Sequence, residues 1–143
     1  AEADLLGAHR EPDPLAGLTS FDDFQTRQAS ALDKDLDIAQ DIVDDLTYYD
    51  MDAYRFDGGR LYTLATAELK WVKAHKPWPC YQPLWQEYMN MWTDLQTAGK
   101  KIKSGSLDTT YIEKATGHSQ NINEGGLFDD ANAACDQDPA AQA

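Results

Sequence analysis

Four polar residues interrupt the apolar faces of the predicted helices: Asp35, Glu68, His75 and His118. His75 lies too far along the second helix to share a site with Glu68, but the other three have side chains that could bind a metal ion. Asp35 falls within the apolar arc of the first helix, Glu68 within that of the second, and His118 at the centre of the fourth. Counting about 1.5 Å per residue through the turns of an up-and-down bundle places Glu68 level with His118 and Asp35 about one helical turn away. Carboxylate and imidazole groups from several helices can hold a metal in a bundle core.

The alternative is a hydrogen-bonded polar layer, such as Glu68 with His118, that fixes the register of the helices. We favour this layer and expect neither a metal nor a cofactor, because the sequence has no Glu-x-x-His pair of the di-iron type and no cysteine pair that attaches haem. The sequence also lacks three motifs that are typical of enzyme active sites: Gly-x-Ser-x-Gly, a phosphate-binding glycine loop and His-Glu-x-x-His. We therefore expect a protein that is not an enzyme.

A row of acidic residues along the first predicted helix could bind a partner. The row consists of Asp33, Asp37, Asp41 and Asp44. Together with Asp35 it matches the spacing of a calcium-binding loop, but Ile38 stands where that loop requires a glycine, and the apolar period runs on through the segment. We interpret the row as a solvated helix face and expect it to bind a protein with a basic surface.

The charge of the chain is strongly acidic and unevenly distributed. The net charge of -13 comes from 25 acidic and 12 basic residues. Residues 1–57 carry 15 acids and 4 bases, residues 58–103 carry 3 and 7, and residues 104–143 carry 7 and 1. Without a basic stripe that could neutralise a phosphate backbone, binding to nucleic acid is disfavoured.

Two cysteines, Cys80 and Cys135, have no spacing typical of a metal site. They favour a disulfide in an oxidising compartment, with two buried thiols as the alternative. No apolar run approaches the roughly 20 residues of a membrane span, and no basic and then apolar leader opens the chain. We expect a secreted or cell-envelope protein, and a lipid anchor outside these 143 residues is compatible with that expectation.

Trp78 stands between two prolines, where it could remain exposed as an anchor for a partner. The nearby aromatic residues Trp71, Tyr81 and Trp85 have the helical spacing of core residues. Trp78 is therefore the one residue of this group that we assign to binding.

Four amphipathic stretches predict an all-α fold. The clearest runs from Tyr81 to Ile102, and we expect its helix to begin near Gln82 and Pro83 and to end at Gly105. The first begins at the capping residue Ser20 and spans about 28 residues. The pattern fails from Thr47 to Gly59, which predicts a long connection. A fourth helix is expected after Ser106, with Ser106 as its cap and Leu107 on its apolar face. We predict a flexible or extended lead-in over 1–18, an up-and-down four-helix bundle over 19–126, and a short helical segment with a polar tail over 127–143, tied back by the disulfide.

Overall fold

The computed structural model describes residues 18–137, and over this range the chain is a helical bundle. Its α-helices are α1 (Phe21–Thr47), α2 (Met51–Ala74), α3 (Gln82–Lys103), α4 (Thr110–Glu124) and α5 (Leu127–Gln137), and a short 3-10 turn (Pro79–Tyr81) precedes α3. Except for residue 18, the predicted lead-in lies outside the described residues, and so does the part of the polar tail after residue 137. The all-helical prediction is confirmed for the described part of the chain.

Local sequence signals fix several helix ends where they were predicted. The Ser20 hydroxyl accepts a hydrogen bond from the backbone N–H of Asp23 at 3.3 Å and so caps α1. Helix α3 begins at Gln82 with Pro83 in its first turn, where the missing N–H of proline has no helical partner to lose. Its far end is followed by Gly105, whose φ of +88° is a conformation that glycine adopts without strain.

The long connection predicted between the first two helices is wrong. Helix α2 already begins at Met51, and Asp50 caps it by accepting a hydrogen bond from the N–H of Ala53 at 3.0 Å. The glycines that suggested a loop are inside the helix, and Gly58 packs directly against α3. A β-carbon built on Gly58 would lie 2.5 Å from the Ile102 side chain, so this glycine permits a close helix contact.

The fourth helix begins later than predicted. The Ser106 hydroxyl accepts a hydrogen bond from the N–H of Asp108 at 3.1 Å, which stabilises the connection rather than capping a helix. Leu107, expected on the apolar face, is 63% exposed in this connection. Helix α4 therefore has a shorter apolar face than the sequence indicated.

Helix α3 lies at the centre of the core, as its aromatic stripe predicted. Tyr88, Met91 and Trp92 are buried, and α3 packs against α2 on one side and α4 on another. The indole N–H of Trp92 donates to the Gln28 side-chain oxygen at 2.6 Å, which satisfies a buried donor. Burial of this aromatic surface positions the other helices around α3.

The disulfide between Cys80 and Cys135 is present, with 5.0 Å between the two α-carbons. It holds α5 against the 3-10 turn, and the Tyr81 hydroxyl donates to the Asn132 side chain at 3.2 Å in the same contact. Phe128 of α5 packs edge-on against Phe21 at the start of α1. The predicted folding back of the C-terminal segment is confirmed.

Candidate binding groove

The structure does not bring Asp35, Glu68 and His118 together. Glu68 is buried and accepts two hydrogen bonds from Arg27, at 2.6 and 3.2 Å. Within residues 18–137, no group of three or more histidine, cysteine or acidic side chains has an arrangement that could hold a metal ion. The expected hydrogen bond between Glu68 and His118 is also wrong, because Arg27 supplies the partner for Glu68.

His118 instead lies between two carboxylates of α3. Its Nδ1 is 2.6 Å from the Glu87 carboxylate, and its Nε2 is 3.2 Å from that of Asp94. Glu87 and Asp94 are seven residues apart, so they share one face of α3. This spacing is visible in the sequence, but it does not show that His118 lies opposite both acids. Since both ring nitrogens are engaged, the cluster fastens α4 to α3 and leaves no nitrogen free to act as a catalytic base.

An apolar groove runs between α1 and α4. Its volume is about 580 Å³. One wall comes from α1, the floor includes Leu61, Met91 and Leu95, and the other wall comes from α4, including Ile112 and Ala115. The α1 wall is formed by Leu32, Asp35, Leu36, Ala39, Ile42, Val43 and Leu46. We call this feature the α1–α4 groove.

The α1 wall of this groove was expected to be buried, but much of it is exposed. Leu36 is 65% exposed, Val43 55% and Leu46 40%. Helix α4 packs against α3 and α5 and does not cover the part of α1 that carries Leu36, Val43 and Leu46. A contiguous exposed apolar surface of this kind is typical of a site that binds a partner.

Asp35 provides the carboxylate of the α1–α4 groove. Among the lining residues that the structure describes, it is the one ionisable side chain. Burial among apolar neighbours raises the pKa of Asp35 to about 6. A cation placed beside this carboxylate would be attracted in a setting where little water screens the charge.

The predicted acidic row is retained on the surface of α1. We call Asp33, Asp37, Asp41 and Asp44 the acidic ridge; Asp41 forms an ion pair with Arg60 at 2.8 Å, and the other three are exposed. At 100° per residue along α1, the ridge lies next to the exposed groove edge that carries Leu36 and Val43. The acidic and the apolar surfaces therefore adjoin.

Trp78 is separate from these surfaces. It follows the C-terminal end of α2, whereas the ion pair of the acidic ridge with Arg60 lies in the N-terminal half of that helix. Trp78 is half-buried and packs against the core, so it is less exposed than the sequence suggested. Its role as a binding anchor stays a prediction.

None of the helices in residues 18–137 combines the length and the apolar character needed to cross a bilayer. The α1–α4 groove with its adjoining acidic ridge is a largely apolar concavity of the kind that binds ligands. Comparisons with protein-family models, with curated proteins and with solved structures found no match for this chain.

Proposed function

We propose that this protein is a helical binding domain whose α1–α4 groove accepts an amphipathic basic helix from a partner protein. The observation that carries the proposal is the exposed apolar row of Leu36, Val43 and Leu46 beside the acidic ridge. Apolar residues of the partner would fill the groove, and its basic residues would face the acidic ridge.

We further propose that α1 to α4 form an up-and-down bundle with one side left open. Late residues of α1 contact early residues of α2, as in the Arg60–Asp41 ion pair, whereas Arg27 near the start of α1 contacts Glu68 near the end of α2. In a closed bundle of this order α1 and α4 would also pack together. The groove is the space that such a contact would fill, so a guest helix would complete the bundle.

The dimensions of the groove suit a helical guest. Leu32 and Leu46 are fourteen residues apart along α1, which corresponds to about 21 Å or roughly four helical turns. A helix with apolar residues at i, i+3, i+4, i+7, i+11 and i+14 presents a stripe of that length. A lysine or arginine on the same stripe would pair with Asp35 and offset the cost of burying its carboxylate.

The disulfide between Cys80 and Cys135 suggests an oxidising environment outside the cytoplasm. We propose that the domain is secreted or belongs to the cell envelope, and that its partner is met there. Binding between an acidic ridge and a basic helix would be weakened by salt, because exposed charges are screened.

The experiment uses three synthetic peptides of roughly 16 residues, a length that matches the groove. The first has leucines at helical spacing and lysines elsewhere, the second has glutamate in place of each lysine, and the third has the composition of the first in a scrambled order. Titration calorimetry should show binding of the first peptide, with affinity that falls as salt is raised, and much weaker binding of the other two. Equal binding of all three peptides, or affinity independent of salt, would contradict the proposal.

Single substitutions locate the binding surface. Leu36→Glu and Val43→Glu should each weaken binding of the lysine peptide about tenfold or more, since they place a carboxylate on the apolar wall. Leu107→Glu is the matched control, because Leu107 is exposed to a similar degree but lies outside the groove lining. A similar loss with Leu107→Glu would argue against the groove. A wild-type dimer that Leu36→Glu converts to a monomer would instead identify a second copy of this chain as the occupant.

A further inference from the structure

A second concave surface lies on the other side of α1, against α2 and the end of α3. Its volume is about 700 Å³. Basic side chains from all three helices line it: Lys34 from α1, Arg55 and Arg60 from α2, and Lys103 from α3. We call it the basic pocket, and we infer that it binds a soluble organic anion that has a phosphate or carboxylate head and an aromatic or other apolar body.

The concentration of positive charge is unusual for this chain. Four of its 12 basic residues converge on one pocket, although acidic residues outnumber basic ones by 25 to 12. They come from positions far apart in sequence, so the fold rather than a basic run creates the cluster. Convergent cations in a concave site raise the local concentration of anions.

Among the described residues, one of the four cations is held by carboxylates and the other three are not. Arg60 is held by Asp41 at 2.8 Å and by Asp57 at 2.7 Å, so its charge is largely compensated. Lys34, Arg55 and Lys103 form no ion pair with a carboxylate of residues 18–137. The lining includes one acid, Asp37, which leaves an excess of positive charge. Ammonium and guanidinium groups arranged in this way bind phosphate or carboxylate oxygens.

The walls of the basic pocket explain why the ligand should carry an apolar body. Phe56 is 70% exposed and lies on the lining, where its ring can stack on a flat group. Leu64 and the buried Ile38 add apolar surface at the same site. An inorganic anion would use the cations but leave these apolar groups without a partner.

Gly59 gives the pocket additional room. A β-carbon built on it would meet Lys103 Cδ at 3.8 Å, an ordinary contact, so close packing does not require glycine here. Glycine within a helix is unfavourable, since it loses more conformational freedom on folding than alanine. Access to the pocket gives a physical reason for glycine at this position.

The test measures calorimetric binding of 1-naphthyl phosphate, inorganic phosphate and 1-naphthol to the intact protein. The naphthyl phosphate should bind at one site and at least about tenfold more tightly than either fragment, since it uses both the cations and the apolar wall. Arg55→Gln combined with Lys103→Gln should weaken this binding about tenfold. The matched control, Lys70→Gln combined with Lys73→Gln, removes the same charge from another part of α2 and should change the affinity less than about twofold.

A second pair of variants tests the location. Gly59→Leu should abolish the binding by filling the pocket, whereas Phe56→Ala should remove the preference for naphthyl phosphate over inorganic phosphate. Circular dichroism shows whether each variant keeps its helical content. Equal effects of the two double variants, or unchanged binding in a folded Gly59→Leu protein, would overturn the inference. Binding only to vesicles that contain phosphatidic acid, with none to soluble naphthyl phosphate, would also overturn it. These outcomes are independent of the groove proposal.

Discussion

Asp35 and Glu68 are two acidic residues with low exposure whose carboxylates have different surroundings. Glu68 is almost fully buried, and the guanidinium of Arg27 binds both of its carboxylate oxygens. A bidentate pair of this kind compensates the negative charge of a carboxylate that has little contact with water. Asp35 lines an apolar groove without another ionisable group among the described lining residues, and burial raises its pKa to about 6.

The unusual position of both acids could be predicted from sequence, but their partners could not. Asp35 and Glu68 interrupt apolar helical faces, and periodicity alone reveals this. Arg27 is 41 residues from Glu68, and two helices must pack before the two side chains meet. Periodicity gives the face on which a residue lies, but it does not give the side chain opposite.

Asp35→Asn should stabilise the protein at neutral pH. The folded-state pKa of Asp35 is raised, so the folded state binds this proton more tightly than the unfolded chain, and wild-type stability falls as the pH rises from about 4 to 6. Asparagine has no charge to bury and should raise the free energy of unfolding by about 1 to 3 kcal/mol at pH 7. The gain should disappear near pH 3, below the unfolded-state pKa of 3.8, where Asp35 is protonated in both states. The denaturation is therefore measured at pH 3 and at pH 7. Urea denaturation at the two pH values measures it, and an equal difference at both would contradict this explanation.

At the scale of the helices, the sequence predicted the helix ends that are marked by capping residues, proline or glycine. It did not predict the helix start that depends on packing between helices. The cap at Ser20, the proline start of α3 and the glycine after it require few neighbours, and each is confirmed. Two adjacent glycines ordinarily indicate a turn. Here the contact of Gly58 with α3 outweighs that preference, so α2 continues through both glycines.

Gly58→Ala and Gly59→Ala should have opposite effects on stability. At Gly58 the new β-carbon would lie 2.5 Å from the Ile102 side chain and 2.6 Å from the Lys103 backbone nitrogen, which would force α2 and α3 apart. Overpacking of this kind costs about 1 to 3 kcal/mol, more than the better helix propensity of alanine returns. At Gly59 the nearest atom is 3.8 Å away, so alanine should stabilise the protein by up to about 1 kcal/mol. Thermal denaturation compares the two, and destabilisation of equal size by both would show that the close helix contact is not the cause.

The amphipathic pattern of α1 does not show whether its apolar face packs within the chain or binds another molecule. It predicted an apolar face along the helix, and that face exists, with Ile38 and Ile42 buried and Leu36 and Val43 exposed. An apolar stripe is needed equally for packing within the chain and for binding another molecule. Sequence alone does not distinguish these uses, so the α1–α4 groove could be recognised only from the positions of α1 and α4.

Over the whole molecule, the acidic and basic residues form two adjoining surfaces, the acidic ridge and the basic pocket. The acidic ridge lies along α1, and the basic pocket takes most of its cations from α2 and the end of α3. The two regions adjoin, because Asp37 of the acidic ridge also lines the basic pocket and Asp41 of the ridge forms an ion pair with Arg60 of the pocket. The sequence shows that acidic and basic residues are unevenly distributed along the chain, but the convergence of four cations on one pocket depends on tertiary structure.

The disulfide should stabilise the whole domain while leaving the α1–α4 groove functional. It joins residues 55 apart, and closing such a loop restricts the unfolded chain enough to contribute about 4 kcal/mol in the chain-entropy model. Cys80→Ser combined with Cys135→Ser should lower the free energy of unfolding by roughly that amount and release α5 from the 3-10 turn.

The groove residues of α1 lie between Leu32 and Leu46, whereas the disulfide holds α5 next to Tyr81, just before α3. The double variant, if it remains folded, should therefore bind the lysine peptide with affinity within about twofold of wild type, as a difference this small is below 1 kcal/mol. Urea denaturation and peptide titration on the same preparation separate the two effects. Unchanged stability would show that the bond does not constrain the unfolded chain as expected, and loss of peptide binding in a folded variant would show that α5 helps to form the groove.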